Sequence, residues 1–173
     1  MNMSTENEIY PPEMSKNVLE LLRVAHEYCL FAENADSRDP GEISDYFRKI
    51  GPLLYLKGLL LPVVDPEYPE ANERFVTEEE WQAILNGFRS RLLRQDEFWH
   101  IDHENGVEYE PVKASLSENF ADIYQDLKDF LLLYQKNTRD ARQNAVSDCR
   151  RLFDKESHAW RSSLTPEECK YAE

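Results

Sequence analysis

SLSENFADIYQDLKDFLLLYQ, residues 115–135, is the stretch that decides the fold of this chain. Its main apolar side chains follow one another at alternating steps of four and three residues: Leu116, Phe120, Ile123, Leu127, Phe130 and Tyr134. This spacing places them on one face of an α-helix that must lie against other helices. Leu131, Leu132 and Leu133 fill the remaining directions, and a helix that is apolar all round is enclosed by neighbours. We therefore predict that this helix is the centre of a helical core.

The composition of the whole chain agrees with a helical domain. Its 173 residues are near the usual size of one domain, and a chain of this length buries roughly 70% of its unfolded surface. Five glycines are few for a turn-dense β-sandwich. We predict an all-α, single-domain bundle of five or six helices at residues 14–164. A flexible N-terminal tail (1–13) and a polar C-terminal tail (165–173) flank it.

Three further helices are predicted before the central one. The first runs over 15–35 and is capped by Ser15, and the second starts at Asp39-Pro40. Gly51-Pro52 interrupts the second pattern, and we expect a break there because proline removes a backbone donor. The segment after it, PLLYLKGLLLP (52–62), is so apolar that we expect it to be packed on several sides. Thr77 and Glu80 form a capping box that opens the third helix.

The connections and the last helix complete the predicted architecture. Three prolines within residues 62–76 preclude regular structure, so we predict an extended, proline-rich strap over the surface. Asn105-Gly106 indicates the turn of a short β-hairpin within residues 97–112, which must lean on the helices to be stable. A final helix is predicted over 138–162.

The charge of the chain restricts its partners. It carries 34 Asp and Glu against 20 Lys and Arg, a formal net charge of −14. Such a surface repels phosphate, so we expect neither direct nucleic-acid binding nor attachment to an anionic membrane. A basic protein partner or a cationic ligand fits better, although the charge is also explained by solubility alone. The oligomeric state is left open by the sequence.

The location of the protein is predicted from its N-terminus and its cysteines. The N-terminus lacks the basic start and the apolar segment of a secretion signal. The strongest apolar run, residues 53–64, is too short for a spanning helix, which needs about twenty residues. Cys29, Cys149 and Cys169 form no C-x-x-C pair, so we interpret them as free thiols, two of them core-facing. We therefore expect a cytoplasmic protein.

The first candidate site is the acidic side of the central helix: Glu118, Asp122, Asp126 and Asp129, here called the acidic row. Carboxylates on successive turns can share a divalent metal if a second helix completes the cage. The all-α nucleotide pyrophosphohydrolases pair E-x-x-E with E-x-x-D motifs, and only Asp126-x-x-Asp129 approaches half of that pattern. The alternative is a solvated helix face in which Asp126 and Asp129 flank Lys128.

Two weaker candidates lie elsewhere. Lys57 is the one charge in its apolar run, so it either extends to water or pairs with a carboxylate such as Asp122 or Asp126. A second group, His100, Asp102 and His103, could bind a metal or exchange protons on an irregular loop. On a strand, however, these side chains point to opposite faces. The alternative for this segment is a surface loop with aromatic anchors.

Three stretches of the chain resemble one known family. PLLYLKGLLLP (52–62), FVTEEEW (75–81) and PVKASLSENFADIYQDLKDF (111–130) are similar to the DUF5063 family, small bacterial proteins of unknown function. The resemblance covers about residues 18–153. It implies a cytosolic, mostly helical, single-domain bacterial protein, with no established reaction and no catalytic residues to transfer.

The sequence favours a role without catalysis. It contains no phosphate-binding loop, dinucleotide-binding glycine motif, hydrolase nucleophile elbow or H-E-x-x-H zinc motif, so we expect no cofactor and name no catalytic residue. Our hypothesis is a non-catalytic protein-interaction or regulatory domain whose acidic faces meet a basic partner. The alternative is a metal-dependent phosphohydrolase of the all-α nucleotide pyrophosphohydrolase type, using Asp122, Asp126 and Asp129.

Overall fold

The computed structural model of the protein describes residues 10–101 and 111–153. Within them five α-helices and one pair of strands follow one another along the chain. The helices are α1 (Lys16–Ala32), α2 (Pro40–Leu59), α3 (Glu78–Leu92), α4 (Leu116–Gln135) and α5 (Arg139–Phe153). The strands β1 (Glu97–Ile101) and β2 (Pro111–Ser115) form an antiparallel two-stranded sheet between α3 and α4. The predicted all-α fold with a short hairpin is confirmed.

Helix α4 is the centre of the core, as its apolar spacing predicts. It packs against α1, α3 and α5. Phe120, Ile123, Leu127 and Phe130 are all buried, and so are Leu131 and Leu133 in the enclosed second half of the helix. Tyr28 of α1 donates a hydrogen bond from its hydroxyl to the carbonyl oxygen of Phe120, at 2.8 Å. Burial of the Tyr28 ring raises the pKa of this phenol, so it stays a donor.

An aromatic cluster joins α2 and α3 to this centre. The ring of Phe47 stacks on that of Phe120, and Phe88 meets both rings edge-on. Edge-to-face aromatic pairs each contribute about 0.5–1.5 kcal/mol beyond the burial of their area. The cluster therefore fixes the position of three helices at once.

Helix α2 runs without a break through Pro52, so the break expected at Gly51-Pro52 is wrong. An interior proline leaves the carbonyl four residues earlier, that of Arg48, without its amide partner and costs about 3 kcal/mol. Arg48 and Pro52 both lie on the exposed side of α2, where water can bond to that carbonyl. Because Gly51 and Leu54 are buried on the opposite side, tertiary packing holds the helix together.

Side chains cap the starts of α2, α3 and α4. Thr77 and Glu80 form the capping box of α3, and Ser115 accepts the backbone N–H of Glu118 at the start of α4. At the start of α2, Glu42 accepts the backbone N–H of Asp39. Ser15 precedes α1 but makes no capping bond with its side chain, contrary to expectation.

The strand pair is attached to the start of α4 through Asp96. This buried carboxylate accepts the backbone N–H of Ser117 at 2.7 Å and the hydroxyl of Ser115 at 2.9 Å. Glu97 pairs with Ser115, and the ladder continues to Ile101 opposite Pro111. The predicted turn at Asn105-Gly106 lies outside the described residues.

The N-terminal residues are in part docked on the helices. Glu13, within the segment predicted as a flexible tail, is only 3% exposed. Its carbonyl oxygen accepts the hydroxyl of Tyr134, and its carboxylate lies 3.6 Å from Arg139. The predicted end of the last helix at residue 162 and the boundary at 164–165 lie outside the described residues.

Two further predictions concern the cysteines and the membrane. Cys29 and Cys149 are buried free thiols, as predicted, whereas Cys169 lies outside the described residues. Within the part of the chain that the structure describes, no helix combines the length and the apolar character that crossing a membrane requires.

Candidate functional site

The acidic row of α4 faces α3 and the chain that leads into it. Glu118 lies 3.0 Å from the guanidinium of Arg89, and Asp122 accepts the indole N–H of Trp81 at 2.9 Å. Burial raises the pKa of Asp122, the Trp81 bond lowers it, and the charge of Glu118 raises it further. These first two carboxylates therefore attach α3 to α4.

Asp129 holds the end of the strap. Its Oδ1 accepts the backbone N–H groups of Phe75 and Val76, at 2.8 and 3.0 Å, and its Oδ2 lies 3.2 Å from Arg74. The same guanidinium lies 3.4 Å from Asp126. Asp129 is only 5% exposed, so the expectation of a solvated face is wrong at this residue. Its burial is tolerated because both oxygens have donors.

A small cavity lies beside Asp126 and Asp129. It has a volume of about 30 Å³ and is lined in part by Arg74, Asp148 and Cys149. A space of this size holds a water molecule. Burial raises the pKa of the Cys149 thiol, which keeps it protonated and weakly nucleophilic. Among the described residues, no three His, Cys, Asp or Glu side chains are grouped so that they could hold a metal ion.

Lys57 forms an ion pair, but with Glu20 of α1 and not with Asp122 or Asp126. The prediction of those partners is wrong because α2 packs against α1 at this level, and the acidic row of α4 faces α3 and the strap instead. The hydrogen bond from Lys57 lowers the pKa of the Glu20 carboxyl. Asn17 adds a bond to the carbonyl oxygen of Leu60. Both contacts hold the two helices in register.

The histidine candidate is only partly covered by the structure. His100 belongs to β1, where it pairs with Val112 of β2. Asp102 and His103 lie outside the described residues, so metal binding or acid-base chemistry at this group stays a prediction.

The feature that sequence reasoning missed is an exposed apolar surface on the second half of α2 and just beyond it. We call it the leucine face, and its members are Pro52, Leu53, Leu56, Leu59, Leu60 and Val63. Leu56 is 53% exposed and Val63 is 76% exposed. At 100° per residue, the four members within α2 and its C-cap residue Leu60 fall within an arc of about 120°. They therefore form one continuous surface.

The opposite side of the same segment is the buried one. Gly51, Leu54, Gly58 and Leu61 follow one another at steps of three, four and three, and all four are buried. The helix packs there against α1 and α5. The expectation that residues 52–62 are packed on several sides is therefore wrong for the leucine face. Gly51 and Gly58 were the signal in the sequence for this buried side, because a glycine in a helix lets another helix approach closely.

Charged groups border the leucine face along one edge and at its N-terminal end. The Lys57–Glu20 pair lies along its α1 edge, and Arg48 and Lys49 precede it on α2, where Lys49 pairs with Asp45. Scattered exposed leucines are normal on a protein surface, whereas the members of the leucine face adjoin one another on one side of a helix.

The chain is similar to a family model and to a solved structure. The family model described as "Domain of unknown function (DUF5063)" matches residues 12–158. Among solved structures, the crystal structure of protein BF1032 from Bacteroides fragilis, a structural genomics target, is 30% identical. The match covers 94% of this chain and 98% of that chain, with a TM-score of 0.77. No curated protein matches.

Proposed function

The chain belongs to the DUF5063 family, and on that premise we propose that it is a non-catalytic protein-interaction domain that binds its partner through the leucine face. The observation that carries this proposal is the exposure of five leucine and valine side chains on one side of the second half of α2 and just beyond it. Their exposure costs solvation free energy that a bound partner would recover.

The apolar contribution to binding is of useful size. Complete burial of a leucine contributes about 1.5–3 kcal/mol, and these side chains are between 38% and 76% exposed. Covering them would contribute roughly 1 kcal/mol each, before the costs of association. Such a surface suits a short apolar segment of a partner, for example one face of an amphipathic helix.

The net charge of −14 adds a preference for basic flanks on that segment. The carboxylates of the acidic row are engaged by Arg89, Trp81, Arg74 and the strap. These carboxylates would therefore act on a partner through their long-range electrostatic field. That field accelerates the approach of a basic protein and weakens with salt. In this proposal the leucine face forms the contact, and the net negative charge increases the rate of association.

The test compares variants on and off the leucine face. We expect affinity capture at low and moderate salt to recover a protein with an apolar, basically flanked segment. Leu56→Asp combined with Leu60→Asp should lose it. The control is Leu30→Asp on α1, since Leu30 is 44% exposed and Leu60 is 46% exposed. Equal capture by both variants, or no capture by the unaltered protein at either salt concentration, would contradict the proposal.

The alternative, a metal-dependent phosphohydrolase using Asp122, Asp126 and Asp129, has its own test. Thermal melting is measured with and without manganese, since a metal that binds only the folded protein raises the melting temperature. We expect a change below about 1 °C, because the three carboxylates already bond to protein donors. A rise of several degrees that Asp126→Asn abolishes would favour the enzyme.

A further inference from the structure

We propose that the middle of the strap, residues 65–74, is a lid that opens from α4 and α5 while helices α1 to α5 stay folded. When closed, the lid covers the seam between α4 and α5, where the small cavity beside Asp126 and Asp129 lies. The inference is independent of the proposed function, which rests on the leucine face of α2. Three features support it: the exposure of the lid, the polar character of its contacts, and the apolar seam beneath it.

The lid buries little of its own surface. Every residue from 65 to 74 is exposed except Pro66, which is half-buried. Tyr68, the one aromatic residue of the lid, is 48% exposed. Apart from one short turn of 3₁₀ helix at Pro69–Ala71, the backbone of the lid is irregular. A segment with so few buried apolar contacts opens at a lower free energy than the helices unfold.

Polar contacts to α4 and α5 hold the lid closed. Two buried amides of α5 bond to its backbone: Gln143 accepts the N–H of Glu67 at 3.4 Å, and Asn144 donates to the carbonyl oxygen of Tyr68 at 2.9 Å. Because water replaces each polar contact when the lid opens, each adds little to the stability of the closed form. Three side-chain attachments complete the set: Asn72 with Asp148, Glu73 with Lys136, and Arg74 with Asp126 and Asp129.

The chain is anchored on both sides of the lid. Before it, Leu61 is only 2% exposed. After it, the carboxylate of Asp129 accepts the backbone N–H groups of Phe75 and Val76. Two prolines within the lid restrict its backbone. The lid therefore opens as one piece between two fixed points.

The seam beneath the lid is apolar, with carboxylates beside it. Asn72, Glu73 and Arg74 of the lid line one side of the cavity, and the side chains that line it from α4 and α5 include Phe130, Leu133, Ala145, Cys149 and Leu152. Cys149 is only 1% exposed in the closed form. Opening of the lid admits solvent to this seam, so the Cys149 thiol is a probe of the opening.

Thiol labelling of the full chain tests the proposal, with Cys29 as the internal reference. Cys29 is 2% exposed on α1 and does not line the cavity. Burial raises the pKa of both thiols, that of Cys29 to about 12, so each reacts only after exposure. The protein carries Cys169→Ser and is treated with N-ethylmaleimide. Mass spectrometry of its digest then gives the labelling rate at each position.

We expect Cys149 to be labelled about tenfold faster than Cys29, or more, because opening of the lid needs less free energy than global unfolding. The rate at Cys149 should change little in low concentrations of urea, since the lid exposes little surface when it opens. The rate at Cys29 should rise steeply, because global unfolding exposes much more surface.

Variants of the attachments identify the lid as the element that moves. Arg74→Ala and Lys136→Ala each remove an ion pair that holds the lid, and Lys136 does not itself line the cavity. Each should raise the labelling rate at Cys149 by roughly two- to fivefold. The matched control is Lys128→Ala, which removes a similar ion pair of α4, with Glu33, away from the lid. It should leave the rate at Cys149 unchanged.

Three results would overturn the proposal. Labelling of Cys149 no faster than that of Cys29 would mean that the seam opens only when the whole protein unfolds. Fast labelling that neither Arg74→Ala nor Lys136→Ala increases would assign the exposure to another element, such as the end of α5. An equal increase with Lys128→Ala would make the effect one of general stability. None of these results changes the outcome of the capture experiment, so the lid and the interaction function are refuted separately.

Discussion

The acidic row of α4 and the leucine face of α2 are opposites in both chemistry and environment. The acidic row contains a buried carboxylate with a donor for each oxygen, whereas the leucine face presents apolar side chains to water. The difference shows that exposure in this bundle depends on which neighbours each helix has. Within residues 10–101 and 111–153, α4 is surrounded by three helices and the strap, whereas the second half of α2 is covered on one side, by α1 and α5.

The largest effect should come from removing the carboxylate that holds the strap. We expect Asp129→Ala to cost roughly 4 kcal/mol, because two backbone N–H groups and Arg74 lose a buried, charged acceptor. Urea unfolding measures it. Glu118→Ala, at the exposed end of the acidic row, should cost less than about 1 kcal/mol. If Asp129→Ala lowered the free energy of unfolding as little as Glu118→Ala is expected to, the acidic row would act only as surface charge.

Substitutions on the two sides of α2 should differ almost as much in their effect on the free energy of unfolding. Leu54 is 1% exposed and Leu56 is 53% exposed, although they are two residues apart in one helix. We expect Leu54→Ala to lower the free energy of unfolding by roughly 3 kcal/mol through cavity formation. Leu56→Ala should cost less than about 1 kcal/mol. If the two losses were equal, the leucine face would be covered in solution by something that stabilises the fold.

The close approach of α5 to α2 is tested by two glycines of the same helix. A β-carbon at Gly58 would overlap the Phe153 ring, whereas one at Gly41 meets no atom within 4 Å. We expect Gly58→Ala to destabilise the protein by roughly 2 kcal/mol. Gly41→Ala should stabilise it by about 0.5 kcal/mol, because alanine restricts the unfolded chain. Thermal melting of the two variants measures both effects. A Gly58→Ala variant that is more stable than the unaltered protein would contradict the close contact between Gly58 and Phe153.

The smallest effect should appear in the dependence of stability on pH. Burial raises the pKa of Asp122 above its ordinary value of 3.8. The folded protein therefore binds this proton more tightly than the unfolded chain does, and stability falls as the pH rises from 3.8 through the raised value. Asp122→Asn removes this penalty and keeps an oxygen for the Trp81 indole. We expect a gain within about 0.5 kcal/mol at pH 7.

That gain should vanish below pH 3.8, where the native carboxyl is protonated in both states. Urea unfolding of both proteins from pH 3 to pH 7 measures the difference. A variant that is less stable at pH 7 would show that the charge of Asp122 matters more to the Trp81 bond than its desolvation does.

Local patterns predicted the parts of the fold that depend on local physics. The spacing from Leu116 to Tyr134 located the core helix, and Thr77 with Glu80 marked the start of α3. The same kind of argument placed a break at Pro52, which is wrong because packing on Gly51 and Leu54 outweighs the lost hydrogen bond. The partners suggested for Lys57 were wrong as well, because choosing among many carboxylates requires knowing which helices are adjacent.

The amino-acid sequence by itself determined that this protein is a helical bundle centred on residues 115–135, because helical periodicity and end-capping act over a few residues. Only the tertiary structure decided that Asp129 is buried and Leu56 is exposed. Both side chains lie on well-formed helices, and their environments depend on what the strap, α1 and α5 cover. That coverage comes from contacts between residues far apart in the chain, which no local pattern records.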